Sequence, residues 1–428
     1  MTPSTFNGLK CKFLGLTNLL VICPPSAPEA GSFPPVLSDP AKRNVLILAI
    51  CQALYMTGTS LMIATGPLAG KILTPSPGWE TLPLATHHAG VMLATIPASH
   101  LMRRIGRRAG FMFGTIFGVI GAIMAGYGML LGSFWMLCAG ACVIGWFNGF
   151  AVFYRFAAAD TASDEFKPKA ISWVMTGGLF AAFLGPELAN MTKDMLSPTI
   201  FAGSYFALIG VYVLSFFILM GVEIPKLSVA ERKSSGRPLV QILMQPKCAV
   251  AVIAAFIAYG VMALLMTSTP LAMLNCGFEF SDSKWVIQAH IIGMFAPSFF
   301  TGDIIKKFGA LNVILCGAVL MMASVTSHLS GIEFTNFTAG LLLVGVGWNF
   351  MFIGATTLLT DTYRPEERAK VQGFNDFLIF ATVALAALSS GHLLNAFDWD
   401  VVNYGVAPLL AIAVVCVIFL KSSRAGRA

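Results

Sequence analysis

Charged side chains are scarce in this sequence: Asp, Glu, Lys and Arg make up only 11% of its 428 residues, while 57% are hydrophobic. A water-soluble domain carries roughly 25% charged residues, because its surface faces water. A chain this long with so little charge has to face lipid, where only helices or closed barrels satisfy the backbone. Barrel strands alternate apolar and polar residues. Runs such as Phe111–Leu131 and Val401–Leu420 are instead apolar on every side. That pattern is helical.

Other absences narrow the function. There is no Gly-x-x-x-x-Gly-Lys-Ser/Thr loop and no His-Glu-x-x-His motif, so neither ATP drive nor zinc chemistry is expected of this chain. No paired nucleophile and base marks an intramembrane enzyme, and no cofactor is expected. The 9 cysteines form no C-x-x-C pair; Cys138 and Cys142 share a helix face but read as packing. The net charge of +7 comes from short loops, not from a basic surface interleaved with aromatics, which argues against a nucleic-acid partner.

What is present is a series of apolar stretches of about 20 residues, enough to cross roughly 30 Å of hydrocarbon. They fall near residues 44–66, 80–102, 109–131, 134–156, 169–191, 201–223, 247–270, 284–305, 310–330, 335–359, 369–394 and 401–420. The expected fold is an all-α integral membrane protein with twelve transmembrane helices in two pseudo-symmetric six-helix bundles. The bundles would span 44–224 and 247–420, joined by a polar linker at 225–246 and followed by a tail at 421–428. With an even number of spans both termini share one side. That side then holds 24 of the 27 Lys and Arg residues, leaving only Lys71, Lys193 and Lys284 opposite. Basic loops stay inside, so both termini are expected in the cytoplasm, the membrane being a bacterial inner membrane or one derived from it.

The two halves resemble each other. Arg103-Arg-Ile-Gly-Arg-Arg108 follows the second span and Lys306-Lys-Phe-Gly309 the eighth. Gly145-Trp146 lies in the fourth span and Gly347-Trp348 in the tenth, followed by Phe166-Lys-Pro168 and Tyr363-Arg-Pro365. A repeat of this kind is the trace of a duplicated six-helix unit. The first 43 residues stand apart. Lys10 and Lys12 precede an apolar run, Phe13–Cys23, and then Pro24, Pro25 and Pro28, much like a signal peptide. Cleavage would oppose the charge bias, so a cytoplasmic or interfacial extension is the preferred reading and a misassigned start codon the alternative.

The stretch Ser99-His-Leu-Met-Arg-Arg-Ile-Gly-Arg-Arg108 resembles the signature loop of the major facilitator superfamily. Arg104, Gly106, Arg107 and Arg108 match, while Ser99 replaces the family's glycine and Arg103 its aspartate. The resemblance implies that this loop docks on the start of the eleventh helix as a gate. Tyr154-Arg-Phe-Ala-Ala-Ala-Asp160, Gly347-Trp-Asn-Phe350, Tyr363-Arg-Pro365 and Asn375-Asp-Phe377 are similar to a bacterial subgroup that includes the magnetosome major facilitator protein. That likeness implies iron supply for magnetosome biomineralisation, a magnetosome membrane location and magnetosome membrane proteins as partners.

Ionisable groups inside spans are expensive and therefore functional candidates. The resemblance implies that helix 5 packs on helix 8 and helix 2 on helix 11. Glu187 and His290 would then face each other as proton carriers or metal ligands, unless Glu187 is simply wet beside Pro186. His87 and His88 point about 100° apart on a helix, so only one is expected to line a pathway. Arg103 or Arg104 is expected to neutralise Asp376, and Arg107 or Arg108 to pair with Asp160, as gating contacts. No buried arginine is expected on helix 4. In this fold helices 1, 4, 7 and 10 line the cavity, which makes Tyr55, Asn148, Tyr259, Met262 and Asn349 candidate substrate contacts, with interhelical packing as the alternative. The expected function is secondary transport by alternating access. Iron is the leading cargo; a vitamin-like or drug-like organic solute, or a non-transporting sensor or scaffold, are the alternatives.

Overall fold

The computed structural model describes residues 39–74, 79, 81–225 and 236–425. The expected N-terminal extension, apart from its last residues, and residues 226–235 of the linker lie outside these. The described residues form sixteen α-helices and no strand. They are α1 Pro40–Leu73, α2 Leu82–Ile105, α3 Arg107–Leu130, α4 Phe134–Ala151, α5 Tyr154–Thr161, α6 Lys167–Met175, α7 Gly177–Thr192 and α8 Ala202–Leu219 in the first half. The second half has the short α9 Leu239–Leu243, then α10 Pro246–Asn275, α11 Phe280–Phe295, α12 Ser298–Phe308, α13 Ala310–Leu329, α14 Phe334–Thr360, α15 Arg368–Ala396 and α16 Trp399–Ala425.

Three spans are each built from two helices. α4 runs into α5, α6 into α7 and α11 into α12. Pro297 explains the last break, because proline has no N–H for the helix ladder and crowds the preceding turn. The break between α6 and α7 falls at the Gly177-Gly178 pair, a common kink site. Twelve spans result. By length and composition ten of them are apolar enough to cross a bilayer. The two that fall short are α2, which carries His87, His88 and His100, and the interrupted α11–α12. α1 begins cleanly at Pro40, where the Asp39 side chain accepts a hydrogen bond from the Ala41 N–H at 3.0 Å.

The halves meet as the resemblance implies, α2 against α15 and α6–α7 against α11–α12. The internal repeat also appears in the backbone. Gly106 ends α2 with φ 92°, and Gly309 ends α12 with φ 83°. Each N–H returns to the carbonyl four residues earlier, at 2.9 Å to Met102 and 2.8 Å to Ile305. Only glycine holds such a conformation without strain.

Inside the first half, α2 and α4 touch backbone to backbone. A Cβ added at Gly90 would stand 2.2 Å from the Cys142 carbonyl oxygen, and one at Gly145 only 2.1 Å from that of His87. In the second half a Cβ at Gly345 would stand 2.5 Å from the His290 carbonyl oxygen. By contact, then, Gly345 takes the place of Gly145, and His290 that of His87. The Gly-Trp dipeptides therefore misjudge the register by two residues. Trp146 is half-buried beside Phe117, whereas Trp348 is fully buried and stacked 5.0 Å from Phe352. Gly and aromatic residues are so frequent in these spans that a shared dipeptide is a weak marker.

The linker's far end is fastened to the second half. Glu367 is fully buried and accepts from Arg237 through N and Nε at 2.8 Å and Nη2 at 2.6 Å, and from the Arg364 N–H at 3.0 Å. The Arg237 hydrogen bonds outweigh burial and lower its pKa from 4.5 to about 2. A carboxylate lowered in the fold contributes stability that is complete above about pH 4.5 and is lost as pH falls through about 2. With Arg237 29% exposed, water screens part of the effect, leaving about 1–2 kcal/mol. Glu367→Gln should lower stability by that amount near neutrality, and the gap to the native protein should shrink below pH 4.5. Thermal unfolding in detergent across pH checks this; a gap independent of pH would remove the assignment.

Candidate functional site: a central cavity over a buried ion pair

A cavity of about 190 Å³ lies between the halves. α1 presents a stripe of Tyr55, Met56, Thr59 and Ser60, and α10 a matching stripe of Tyr259, Met262, Met266 and Thr267. Both stripes follow the i, i+3, i+4 rule for one helix face. α2 adds His87 and His88, α4 adds Asn148, α11 adds Met294 and Phe295, and α15 adds Phe380. Asn148 donates its Nδ2 to Thr59 Oγ1 at 2.9 Å and lies 3.0 Å from His87 Nε2, so it ties three helices together at the wall.

Of the substrate contacts expected from sequence, Tyr55, Asn148, Tyr259 and Met262 line this cavity. Asn349 does not. It is fully buried, donating to the Met294 carbonyl and Ser298 Oγ at 2.6 Å each and accepting from Thr301 Oγ1 at 2.7 Å. Depth along a helix does not give direction, and this asparagine points into a helix seam. His87 and His88 both line the cavity, their rings 5.4 Å apart, because the cavity wall spans more than the 100° that separates them. The Glu187–His290 pair is not formed. Glu187 is exposed on α7, while His290 is fully buried and uses Nδ1 on the Leu341 carbonyl at 2.8 Å. Among the described residues no three His, Cys, Asp or Glu side chains gather as metal ligands.

Tyr55, Met56, Tyr259, Phe295 and Phe380 form the cavity floor. Beneath them is a second chamber of about 20 Å³, room for one water, which Gln52 and Arg155 also line. Arg155 corrects the expectation that helix 4 buries no arginine. Its guanidinium is 6% exposed and meets Asp376 Oδ1 at 2.5 Å, with Phe156 and Phe352 rings 4.5 and 4.8 Å from its central carbon. Asp376 is therefore neutralised by Arg155 of α5, rather than by Arg103 or Arg104 of the signature loop. The step between α4 and α5 turns Arg155 inward, two turns before the helix ends, which apolar-run counting cannot detect.

Towards the face that carries the basic loops, Arg107 donates through Nε and Nη2 to Asp160 at 3.1 and 3.0 Å. Arg368 reaches the same carboxylate oxygen at 3.0 Å, and Arg107 also holds Gln372 at 2.6 Å. The expected Arg107–Asp160 contact is thus present, and α15 joins it. Gly106 supplies the turn between α2 and α3, while Arg104 and Arg108 are exposed. Further out, Lys169–Asp303 at 3.0 Å and Lys306–Glu165 at 3.4 Å also bridge the halves. Among the described residues, every ion pair between the halves lies on this side of the cavity. The structure is closed there.

A fold of two six-helix halves, closed at one end over a central cavity, defines a facilitator-type transporter, and the comparisons agree. Residues 48–279 and 251–427 match the Major Facilitator Superfamily, and the chain belongs to it. The riboflavin transporter RfnT of Brucella anthropi is 38% identical over 390 residues, covering 91% of this chain and 98% of that protein. The uncharacterised MFS-type transporter YddS of Bacillus subtilis is 26% identical over 398 residues, covering 88% and 91%. Among solved structures, the transporter FucP in its outward conformation superposes with a TM-score of 0.70 at 14% identity, over 88% of this chain and 98% of that one. A bacterial homologue of the iron transporter ferroportin, outward-facing with soaked iron, reaches 0.68 at 15% identity, over 88% and 99%. At such identities these two speak for the fold alone. None of the matches supports the magnetosome subgroup.

Proposed function

We propose that this transporter carries a soft monovalent cation, Cu(I) foremost, through its central cavity by alternating access. The donor set carries the reading: the thioethers of Met56, Met262, Met266 and Met294 and the imidazoles of His87 and His88 line one cavity. Among its described lining residues there is no carboxylate and no thiol. Thioether sulfur favours Cu(I), whereas iron sites draw on carboxylate oxygen beside imidazole. Iron is accordingly not carried forward as the cargo. The basic face is the cytoplasmic side of a bacterial inner membrane in this reading, by the positive-inside rule, with both termini and the linker there.

A flavin-class organic solute is the second reading, favoured by the similarity to RfnT. Tyr55, Tyr259, Phe295 and Phe380 would offer ring faces, and Thr59, Asn148 and Thr267 hydrogen-bonding edges. Purified protein in liposomes separates the two. Cu(I) held reduced by ascorbate should accumulate saturably and be indifferent to excess riboflavin. Saturable riboflavin uptake that ignores Cu(I) would overturn the first reading and establish the second.

A further inference from the structure

At the end of the first half away from the closed face, a shallow cleft of about 490 Å³ lies between the last turn of α1 and the loop joining α7 to α8. Leu68, Lys71 and Ile72 of α1 form one side, and Lys193, Asp194, Ile200 and Phe201 the other. At 100° per residue, Leu68 and Ile72 stand about 140° and 180° around α1 from Ile63, which lines the central cavity. The cleft therefore opens on the outside of the bundle, towards lipid. Its depth is that of headgroups. Lys71 lies about 7.5 Å along the helix beyond residue 66, where the first span is expected to end. A bilayer of roughly 40–45 Å leaves about 5–8 Å of polar region on each side of its hydrocarbon. The exposed Trp79 and Trp135 rings, edge to face at 5.5 Å, mark the same interface elsewhere on this face.

Leu68, Ile72 and Ile200 are about half exposed, at 51, 55 and 46%. Acyl chains cover such side chains favourably, whereas water does not. The charges point the same way. Lys71, Lys193 and Lys284 are the only basic residues expected on this face, and two of them line one cleft. Among the described residues, the side chains of Lys71, Lys193 and Asp194 take part in no ion pair or hydrogen bond. Two ammonium groups and one carboxylate leave a single positive charge unbalanced. The loop that carries Lys193 is held in one shape. The Phe201 N–H returns to the Lys193 carbonyl at 2.8 Å, and the Ser204 hydroxyl donates to the Ala189 carbonyl at 3.1 Å.

We propose that this cleft binds one anionic phospholipid. Its phosphate sits with Lys71 and Lys193, its headgroup hydroxyls donate to Asp194, and its acyl chains run along Leu68, Ile72 and Ile200. Each part of the lining is then used. A free phosphate would leave the apolar wall bare, and a zwitterionic lipid would leave the positive charge unbalanced. Both helices that the lipid joins also line the central cavity, α1 through Tyr55 and Thr59 and α7 through Gly178 and Ala181. The bound lipid fastens their ends to each other. The proposal does not depend on which cargo is carried.

Photolabelling of the full-length protein in phosphatidylcholine nanodiscs tests it. A trace of phosphatidylglycerol or of phosphatidylcholine, each with a photoreactive acyl chain, is added, and the labelled peptides are mapped. A lysine near a membrane surface changes the affinity for an anionic lipid about fivefold, so two amount to about 30-fold. Segments 68–72 and 193–201 should therefore take the glycerol lipid over the choline lipid by about 30-fold. At Leu131, equally on this face and 71% exposed, the two lipids should label alike. Lys71→Gln should cut the preference about fivefold, and Lys71→Gln with Lys193→Gln should reduce it to the Leu131 level. Lys71→Arg, which keeps the charge, should retain it. Neither lysine side chain holds another described residue, so these variants should fold. A preference that survives the double variant would overturn the proposal. So would equal labelling by a phosphatidylethanolamine probe, or displacement by glycerol 1-phosphate as effective as by unlabelled phosphatidylglycerol.

Discussion

Liposomes carrying the double variant Met262→Leu, Met266→Leu should lose Cu(I) uptake almost entirely while the protein remains folded in the membrane. Met262 and Met266 are one helical turn apart on α10, so both line the cavity from the same helix face. Leucine is close to methionine in volume and apolar, and such exchanges usually cost less than about 1.5 kcal/mol. The fold should therefore tolerate the change. The cargo should not, because leucine offers no lone pair to a soft cation. Disturbing the surroundings of a metal ligand alone typically costs about 10–100-fold in affinity, and removing two ligands should exceed that. The measurement is Cu(I) accumulation in liposomes at matched protein density. Uptake within about twofold of wild type, well under one ligand's worth, would sink the thioether reading. Under the flavin-class reading, the same variant should be almost silent, and Tyr55→Ala or Tyr259→Ala damaging instead.

The second large effect concerns assembly. Gly145→Val should prevent the first half from packing, with little monodisperse protein recovered in detergent. The nearest atom to a Cβ there is the His87 backbone oxygen at 2.1 Å, with Val91 N at 3.0 Å. A flexible side chain could move aside; a helix backbone cannot. Overpacking a core costs about 1–3 kcal/mol when side chains can adjust, and this site should exceed about 4 kcal/mol. Gly345→Val should behave alike in the second half. Gly210→Ala is the control, since nothing lies within 4 Å of a Cβ there. An alanine at this mid-helix position should be neutral or stabilising by about 0.5–1 kcal/mol. Normal yield and thermal stability for Gly145→Val would refute the close α2–α4 contact.

Much of the architecture was legible in the residues. Long apolar runs gave away twelve spans, because a lipid environment leaves the backbone no alternative to helix. Asp160 was expected to meet Arg107 or Arg108, and the fold selects Arg107, with Arg108 left exposed. Direction was harder to read than depth. Asn349 sits where a cavity residue should, yet its three hydrogen bonds all go to α11 and α12 neighbours. Arg155 looked terminal because the apolar run ends beside it. The α4–α5 step that turns it inward carries no proline and leaves no mark in the sequence. Met56, Met266 and Met294 were passed over since methionine reads as apolar filler wherever its sulfur is not asked to bind anything. Only once the helices are assembled do these methionines, from both halves, line one cavity.

The α2–α4 seam has a mechanical meaning. Where Gly90 and Gly145 bring two backbones into contact, there is no layer of side chains between the helices that could change rotamer and absorb a displacement. Within the first half such a joint behaves like a weld. The joints between the halves are of another kind: carboxylates, guanidiniums and amines that can exchange partners or protons one at a time. A molecule welded inside its halves and buttoned between them can store almost no deformation in either half. Whatever motion carries cargo across has to be the undoing of the buttons, in an order set by how deeply each is buried.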